Sequence, residues 1–503
     1  MEIKQLFYAW VPKWLRYAIL LLMLFVVLCA NGVYQGITTD MYSDLGVYSE
    51  PYTMAINAMY IGMAAGMIIM IRFAARFNEK FLIITGFSIM LMMNLISATT
   101  SSPALTVAAT LVLGFGKILA LVIIYVAWLV IWSKKLDSAR VYPLIYFMAL
   151  AGLYFLTWLT SRFAYLYSWR YAYPLILILL IICIVLALVF VASHEVKRKI
   201  PLYQLDIPGL ALFIISLMLI NYVAVYGKVE DWFESNNIRA ASFLSVITGL
   251  LFFKRELTVK RPFLDLRLFG LPNFRMALLL FLLLGPLVPA TFQSSFTGTV
   301  LHFESFRNTE INLYLIPGFF AGSVLTFFWY KYNYNVHLLI VLGFSAFVLY
   351  HIMMYTRFVS DLDMSDFWIP SLFKGFGTAV LFISIGLYGL ASVPILAALK
   401  TVGMIIMVRS FLGPAVFSGL YNYILYAERN RHLSNLASEI EMNDPMVFQQ
   451  ADRAGYFNYI QQQAHLSALK EISGNIIIFG LSVIILLSAV WGYHKIKKGF
   501  IPA

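Results

Sequence analysis

The sequence predicts an all-α integral membrane protein of fourteen transmembrane helices, arranged six, two and six, with both termini cytoplasmic. Three observations carry that expectation. First, 61% of the 503 residues are hydrophobic and only 12% are charged, with a mean hydropathy of +0.83. Soluble domains carry about 45–50% apolar and about 25% charged residues, so a large soluble enzyme is excluded. Second, the apolar runs reach about 20 residues, the length of a membrane-spanning helix rather than a barrel strand. Third, basic residues gather at the ends of those runs, as cytoplasmic loops require.

Six runs come first, at about 17–39, 53–71, 81–99, 104–132, 140–163 and 171–193. The first follows Lys4, Lys13 and Arg16; it is too long for a signal-peptide core and lacks a clear cleavage site, so it reads as a retained span. A basic linker, SHEVKRK (193–199), leads to two further runs at about 207–226 and 238–253. A charged stretch, 254–275, precedes six more at about 276–300, 310–330, 336–356, 367–389, 394–425 and 472–493. The division expected is a six-helix bundle over 1–193, a linker with two extra helices over 194–275, and a second bundle over 276–503.

Loop charge supports this count. With the N-terminus inside, 22 lysines and arginines fall in inside segments and 10 in outside segments. The net charge of +12 is thereby explained without a nucleic-acid partner. Within the linker, PFLDLRLFGLPNF (262–274) alternates apolar and charged residues at helical spacing and predicts an interfacial amphipathic helix. The longest loop, 428–471, faces outside and reads as two helical parts broken at Asp444-Pro445. A loop of that length is more often functional than idle. Cys29 and Cys183 both lie in apolar runs and offer neither a disulfide framework nor a metal site.

An internal repeat is visible at one place. Span 4 contains Leu113-Gly114-Phe115-Gly116-Lys117 and span 12 contains Lys374-Gly375-Phe376-Gly377-Thr378, at corresponding positions in the two six-span blocks. Small residues let helices approach closely, so the glycines have a packing reading as well as a functional one.

Several motifs point to one family. They are PFLDLRLFGLPNF before span 9, Gln293 late in span 9, LIPG (315–318), WIPSLFKGFGTAVLF (368–382), Arg409 followed by Gly413, Ser168-Trp169-Arg170 before span 6, and the long outer loop before the last span. With the 6+2+6 layout, the chain resembles the fourteen-span drug:proton antiporter family of the major facilitator superfamily. The resemblance implies a major facilitator fold and secondary active transport by alternating access. It also implies efflux of small molecules across an inner membrane, with a periplasmic adaptor protein and an outer-membrane channel as partners docking through 428–471.

The first block departs from the family pattern. The loop after span 2 usually reads G-x-x-x-D-R-x-G-R-K in the family; here IRFAARFNEK (71–80) keeps the gating-loop cations Arg76 and Lys80 but has Ala75 at the acidic position and Asn78 at the glycine. The family's buried arginine of span 4 falls near Thr110. Its span 5 antiporter signature is absent from LAGLYFLTWLT (150–160), and its span 1 acid falls near Ala30 or Asn31.

Ionisable residues inside spans are costly and mark function or a structural partner. Lys117, Lys374 and Arg409 are the deep ones, whereas Lys400 lies near a span end and can snorkel. Relative to GFG the two lysines differ by four positions, which places them on equivalent helix faces one turn apart. Both are candidates to face one aqueous path, or to bind helix carbonyls as structural cations. No carboxylate is equally deep; Asp40, Asp206, Glu310 and Asp366 sit near span ends. Asn31, Tyr34 and Gln35 at i, i+3 and i+4 predict a polar cavity wall in span 1, and Gln293 offers the same in span 9. Two deep cations favour anionic or zwitterionic amphiphilic substrates. The seven histidines form no metal or catalytic motif and there is no phosphate loop, so neither an enzyme nor a metal or other cofactor is expected. The alternatives to an exporter are a non-transporting scaffold or sensor built on the transporter fold, and an importer of anionic solutes.

Overall fold

The computed structural model describes residues 6–132, 138–194, 201–289, 291–439 and 453–499. Among these the regular elements are helical, with one isolated antiparallel bridge, Phe7 to Val191. The first block holds α1 (Lys13–Cys29), α2 (Thr38–Leu45), α3 (Glu50–Ala74), α4 (Glu79–Thr99), α5 (Pro103–Trp132), α6 (Ser138–Leu166) and α7 (Ala172–Phe190). The linker holds α8 (Ile207–Tyr226) and α9 (Asn236–Thr258). The second block holds α10 (Pro272–Leu284), α11 (Thr291–Thr299), α12 (Ser305–Leu313), α13 (Leu315–Lys331), α14 (Val336–Arg357), α15 (Trp368–Leu390), α16 (Ile395–Ile406), α17 (Gly413–Glu439) and α18 (Arg453–Gly499).

Among the described residues, 12 helices are long and apolar enough to cross a membrane. The chain is thus a multi-pass membrane protein. The runs predicted at 17–39 and 276–300 contribute helices of only 17 and 13 residues, because each is interrupted. α1 ends at Cys29, and Gly32 takes a left-handed φ of +78° that a residue with a Cβ rarely adopts. In the second run, Gly285, Pro286 and Pro289 follow α10, and each proline removes a backbone donor. The predicted common face of Asn31, Tyr34 and Gln35 required an unbroken helix, and it does not form: Asn31 and Tyr34 are buried and Gln35 is exposed.

One further expectation is corrected. Residues 262–274 do not form an interfacial helix; a short 3₁₀ turn at Leu266–Gly270 leads into α10. Phe263, Leu264 and Leu268 are buried in the protein core instead of lying along a lipid surface. The stretch 428–471 continues the spans as helix at both ends, in α17 and α18; Asp444-Pro445 and most of the basic linker lie outside the described residues.

The two blocks pack alike. α5 lies against α3 and α4, as α15 lies against α13 and α14. Across the blocks α3 meets α16, and α6 meets α13. The repeated GFG is the packing device. A Cβ on Gly114 would lie 2.1 Å from the carbonyl oxygen of Met59, and one on Gly375 would lie 2.3 Å from that of Leu315. The facing glycines are Gly62 and Gly318, whose Cβ atoms would meet the carbonyls of Leu111 and Leu372 at 2.0 and 2.2 Å. They begin the matching stretches GMAAG (62–66) and GFFAG (318–322), a second repeat in the sequence.

α8 pairs with α9 and reaches α3 and α17. It is pinned to α3 by buried amides: Asn57 donates to Asn221 Oδ1 at 2.9 Å, and Asn221 donates to the Met54 carbonyl at 2.9 Å. Glu230, in the turn after α8, accepts from Ser235 at 2.6 Å and from Tyr222, bonds that hold its carboxyl below the usual range.

Candidate functional site

Both interrupted segments are held by side chains from neighbouring helices. Unwound backbone inside a membrane must find partners within the protein. In the first block Lys117 is 3% exposed and donates from Nζ to the Leu28 carbonyl at 2.8 Å and to Asn31 Oδ1 at 2.5 Å. Leu28 lies in the last turn of α1, where carbonyls lose their helical partners and a cation is favoured. Tyr173 donates to the Gly32 carbonyl at 2.8 Å, and Tyr34 donates to Asn94 Oδ1 at 3.0 Å. In the second block Tyr421 donates to the Pro286 carbonyl at 2.8 Å, and His351 Nε2 lies 3.1 Å from the Leu287 carbonyl.

Lys374 is placed differently. It is 6% exposed, and its Nζ lies 4.9 Å from the centre of the Tyr350 ring, a cation–π contact. Tyr350 in turn donates to Gln293 Oε1 at 3.1 Å. Lys374 and Gln293 are thus joined through Tyr350, which the sequence did not single out. Each lysine turns toward the interrupted segment of its own block, Lys117 directly and Lys374 through Tyr350.

Arg409 lies between the blocks. It belongs to a wider, π-helical turn, Met407–Leu412, between α16 and α17. Its guanidinium donates to the Tyr146 hydroxyl of α6 and lies over the Phe382 ring at 4.7 Å. The Tyr142 and Tyr146 hydroxyls are 3.3 Å apart, and Tyr154 stacks on Phe319 at 5.5 Å. A band of tyrosines therefore lines the contact between blocks around one cation. The three tyrosines share α6 at i, i+4 and i+12, a pattern the sequence does carry, but their partners Arg409, Phe319 and Phe382 come from other helices.

In the loop between α3 and α4, Lys80 and Asn78 have structural partners. Lys80 donates to the Leu188 carbonyl, near the end of α7, at 2.6 Å. Asn78, where the family has glycine, caps α4 by accepting from the Phe81 N–H at 2.8 Å. Arg76 sits in the turn between α3 and α4, partly exposed. On α17 and α18, ligand atoms of Glu428, His432 and Glu471 lie within 4.8 Å of one another, as a metal would need. Arg431 already occupies that charge, pairing with Glu428 at 2.7 Å and Glu471 at 2.6 Å. The cluster reads as an ion-pair clasp between the two helices.

A bundle of two similarly packed blocks with interrupted helices at matching places is the architecture of a secondary transporter. The family model "Major Facilitator Superfamily" matches residues 20–418, and the chain belongs to that superfamily, whose members are transporters and not enzymes. Among curated proteins, multidrug export protein EmrB of Haemophilus influenzae is 22% identical over 57% of this chain and 56% of its own length. Colistin resistance protein EmrB of Acinetobacter baumannii is 26% identical over 42% of this chain and 41% of its own. The chain thus matches about half the length of these relatives or less. Among solved structures, nucleoside transporter NupG has a TM-score of 0.55 at 12% identity, covering 94% of this chain and 98% of its own. A POT peptide transporter has a TM-score of 0.57 at 13% identity, covering 97% and 96%. These likenesses concern the fold.

Proposed function

We propose that the protein is a secondary active exporter of amphiphilic small molecules bearing an anionic or zwitterionic group, working by alternating access in a cell's inner membrane. The observation that carries this reading is Lys374: a buried ammonium whose described contact is an aromatic face, beside the amide of Gln293. A buried cation with no carboxylate partner is a poor structural element and a good receptor for a substrate anion. Lys117 has the opposite character, since the Leu28 carbonyl and Asn31 take two of its three donors. Anion binding and protonation of the Lys374 amine favour one another, which gives a route to proton coupling without a deep acid.

In this reading α1 with residues 30–45, and α10 with α11, each make one span, for fourteen in a 6+2+6 order with both termini cytoplasmic. The blocks are 1–193 and 276–503 and the linker is 194–275. The relatives named for multidrug export favour efflux over import. The α17–α18 extension over 428–471 is then on the periplasmic side, where an adaptor leading to an outer-membrane channel would dock.

The test is energised accumulation, inside inverted membrane vesicles whose cytoplasmic face is outward, of a panel of amphiphilic acids, bases and zwitterions added outside. Lys374→Ala should abolish transport of the acids, and Lys374→Arg should retain part of it. Unchanged export of every acid by Lys374→Ala defeats the proposal.

A further inference from the structure

The linker carries a pair of buried acids outside the site described above. Asp206 caps α8, and its side chain is 2% exposed. Its Oδ1 accepts from the Gly209 N–H at 3.1 Å and from Arg255 at 2.8 and 2.7 Å. That oxygen is fully used. Glu256, near the end of α9, is 5% exposed, and its Oε2 accepts from the Leu264 N–H at 2.9 Å.

The other oxygen of each acid, Asp206 Oδ2 and Glu256 Oε1, is buried and has no hydrogen-bond partner among the described residues. Two such orphans are costly, by about 1–3 kcal/mol each. They also lie together: a Cβ on Gly209 would be 2.4 Å from Asp206 Oδ2 and 3.2 Å from Glu256 Oε1. Two acceptors facing one another repel unless a hydrogen stands between them. One proton on Glu256 Oε1, donated to Asp206 Oδ2, would satisfy both orphans at once.

We propose that Asp206 and Glu256 form a proton-binding site in the linker, with the proton held on Glu256 and shared with the ionised Asp206. The site lies where the linker meets both blocks. Arg72 of α3 donates to the Gln204 carbonyl, and Lys400 of α16 reaches the Pro262 carbonyl at 3.5 Å. A small, partly open pocket lies between them, lined also by Asp206 and Phe263. The charged groups facing the pair are Arg255 on α9 and Arg72 and Lys400 from the two blocks, and Arg261 and Asp265 beyond α9 act in turn on Arg72 and Lys400. Loss of the proton leaves two buried negative charges side by side, a repulsion and desolvation cost that Arg72 and Lys400 offset only in part, so the linker's hold loosens. Proton occupancy thereby sets how firmly the linker holds the two blocks. This inference does not depend on the cargo assigned to Lys374.

The test is infrared spectroscopy of the purified full-length protein in phospholipid vesicles across a pH series. At neutral pH the protein should show the carbonyl stretch of a protonated carboxylic acid, absent from Glu256→Gln. It should also vanish in Asp206→Asn, whose amide donates to Glu256 and lets it ionise. Glu310→Gln should leave it unchanged. As a second measurement, the melting temperature should fall as pH rises through deprotonation of the pair, and should be flat for Glu256→Gln, whose amide donates to Asp206 permanently. A neutral-pH spectrum in which Glu256→Gln removes an ionised carboxylate band, or a melting temperature of the unaltered protein that does not respond to pH, overturns the proposal.

Discussion

The ammonium of Lys117 sits 2.8 Å from the carbonyl oxygen of Leu28, closing the C-terminal end of α1 where the first span is interrupted. A lysine that looked out of place in an apolar run is the counter-charge of a broken helix. Lys374 lies in the matching helix of the other block and has a ring where Lys117 has a carbonyl. Their substitutions should therefore separate.

Lys117→Met should lower stability, because it strands the Leu28 carbonyl and Asn31 in an apolar setting. A hydrogen bond to a charged group contributes about 1.5–3 kcal/mol. Thermal unfolding of the purified protein in detergent checks this; full stability with lost transport would move Lys117 into the cavity instead.

Lys374→Met should leave stability unchanged or raised, since it removes a buried charge without breaking a carboxylate pair. Tyr350→Phe should weaken acid transport without abolishing it, because the ring stays under the cation while Gln293 loses its donor. Transport rates alongside unfolding curves make the comparison.

Gly62→Val and Gly318→Val should both be damaging, and by similar amounts. Each drives a side chain into a partner carbonyl, and overpacking typically costs about 1–3 kcal/mol, more where backbone must move. Gly298→Ala, with nothing within 4 Å of its Cβ position, should be tolerated. Expression level and melting temperature in detergent report the difference.

Arg409 and Tyr146 should be energetically coupled, because one guanidinium–hydroxyl contact joins the two blocks. A double-mutant cycle with Arg409→Lys and Tyr146→Phe, read in transport rate, should show a coupling of about 0.5–3 kcal/mol. Additive effects would mean that the contact does not bear on the transition between states.

Arg431→Ala should loosen the extension of α17 and α18, since Arg431 pairs with Glu428 and Glu471. Its effect on global unfolding should be small, as the pairs are partly exposed. Adaptor pull-down with this variant should weaken, while a deletion of 432–465 that retained adaptor binding would show that the partner docks elsewhere.

Most helix positions were legible because burial in lipid demands long apolar runs, and residues 53–71, 81–99, 104–132, 207–226 and 336–356 all lie within helices observed there. The repeat was legible at GFG and overlooked at GMAAG and GFFAG, though close packing needs both sides of each contact. The interruptions were half visible. Gly32, Pro286 and Pro289 mark them, but hydropathy averages over a few unwound residues.

The sequence by itself determined a multi-pass helical membrane protein, its superfamily and the identity of its deep cations, since composition and spacing are local quantities. Only the tertiary structure decided what those cations do. Lys117 and Lys374 occupy nearly equivalent faces of equivalent helices, yet one meets a carbonyl from α1 and the other a tyrosine ring from α14. The cost of a buried charge depends on which donors and acceptors surround it, and those come from helices far apart in the chain.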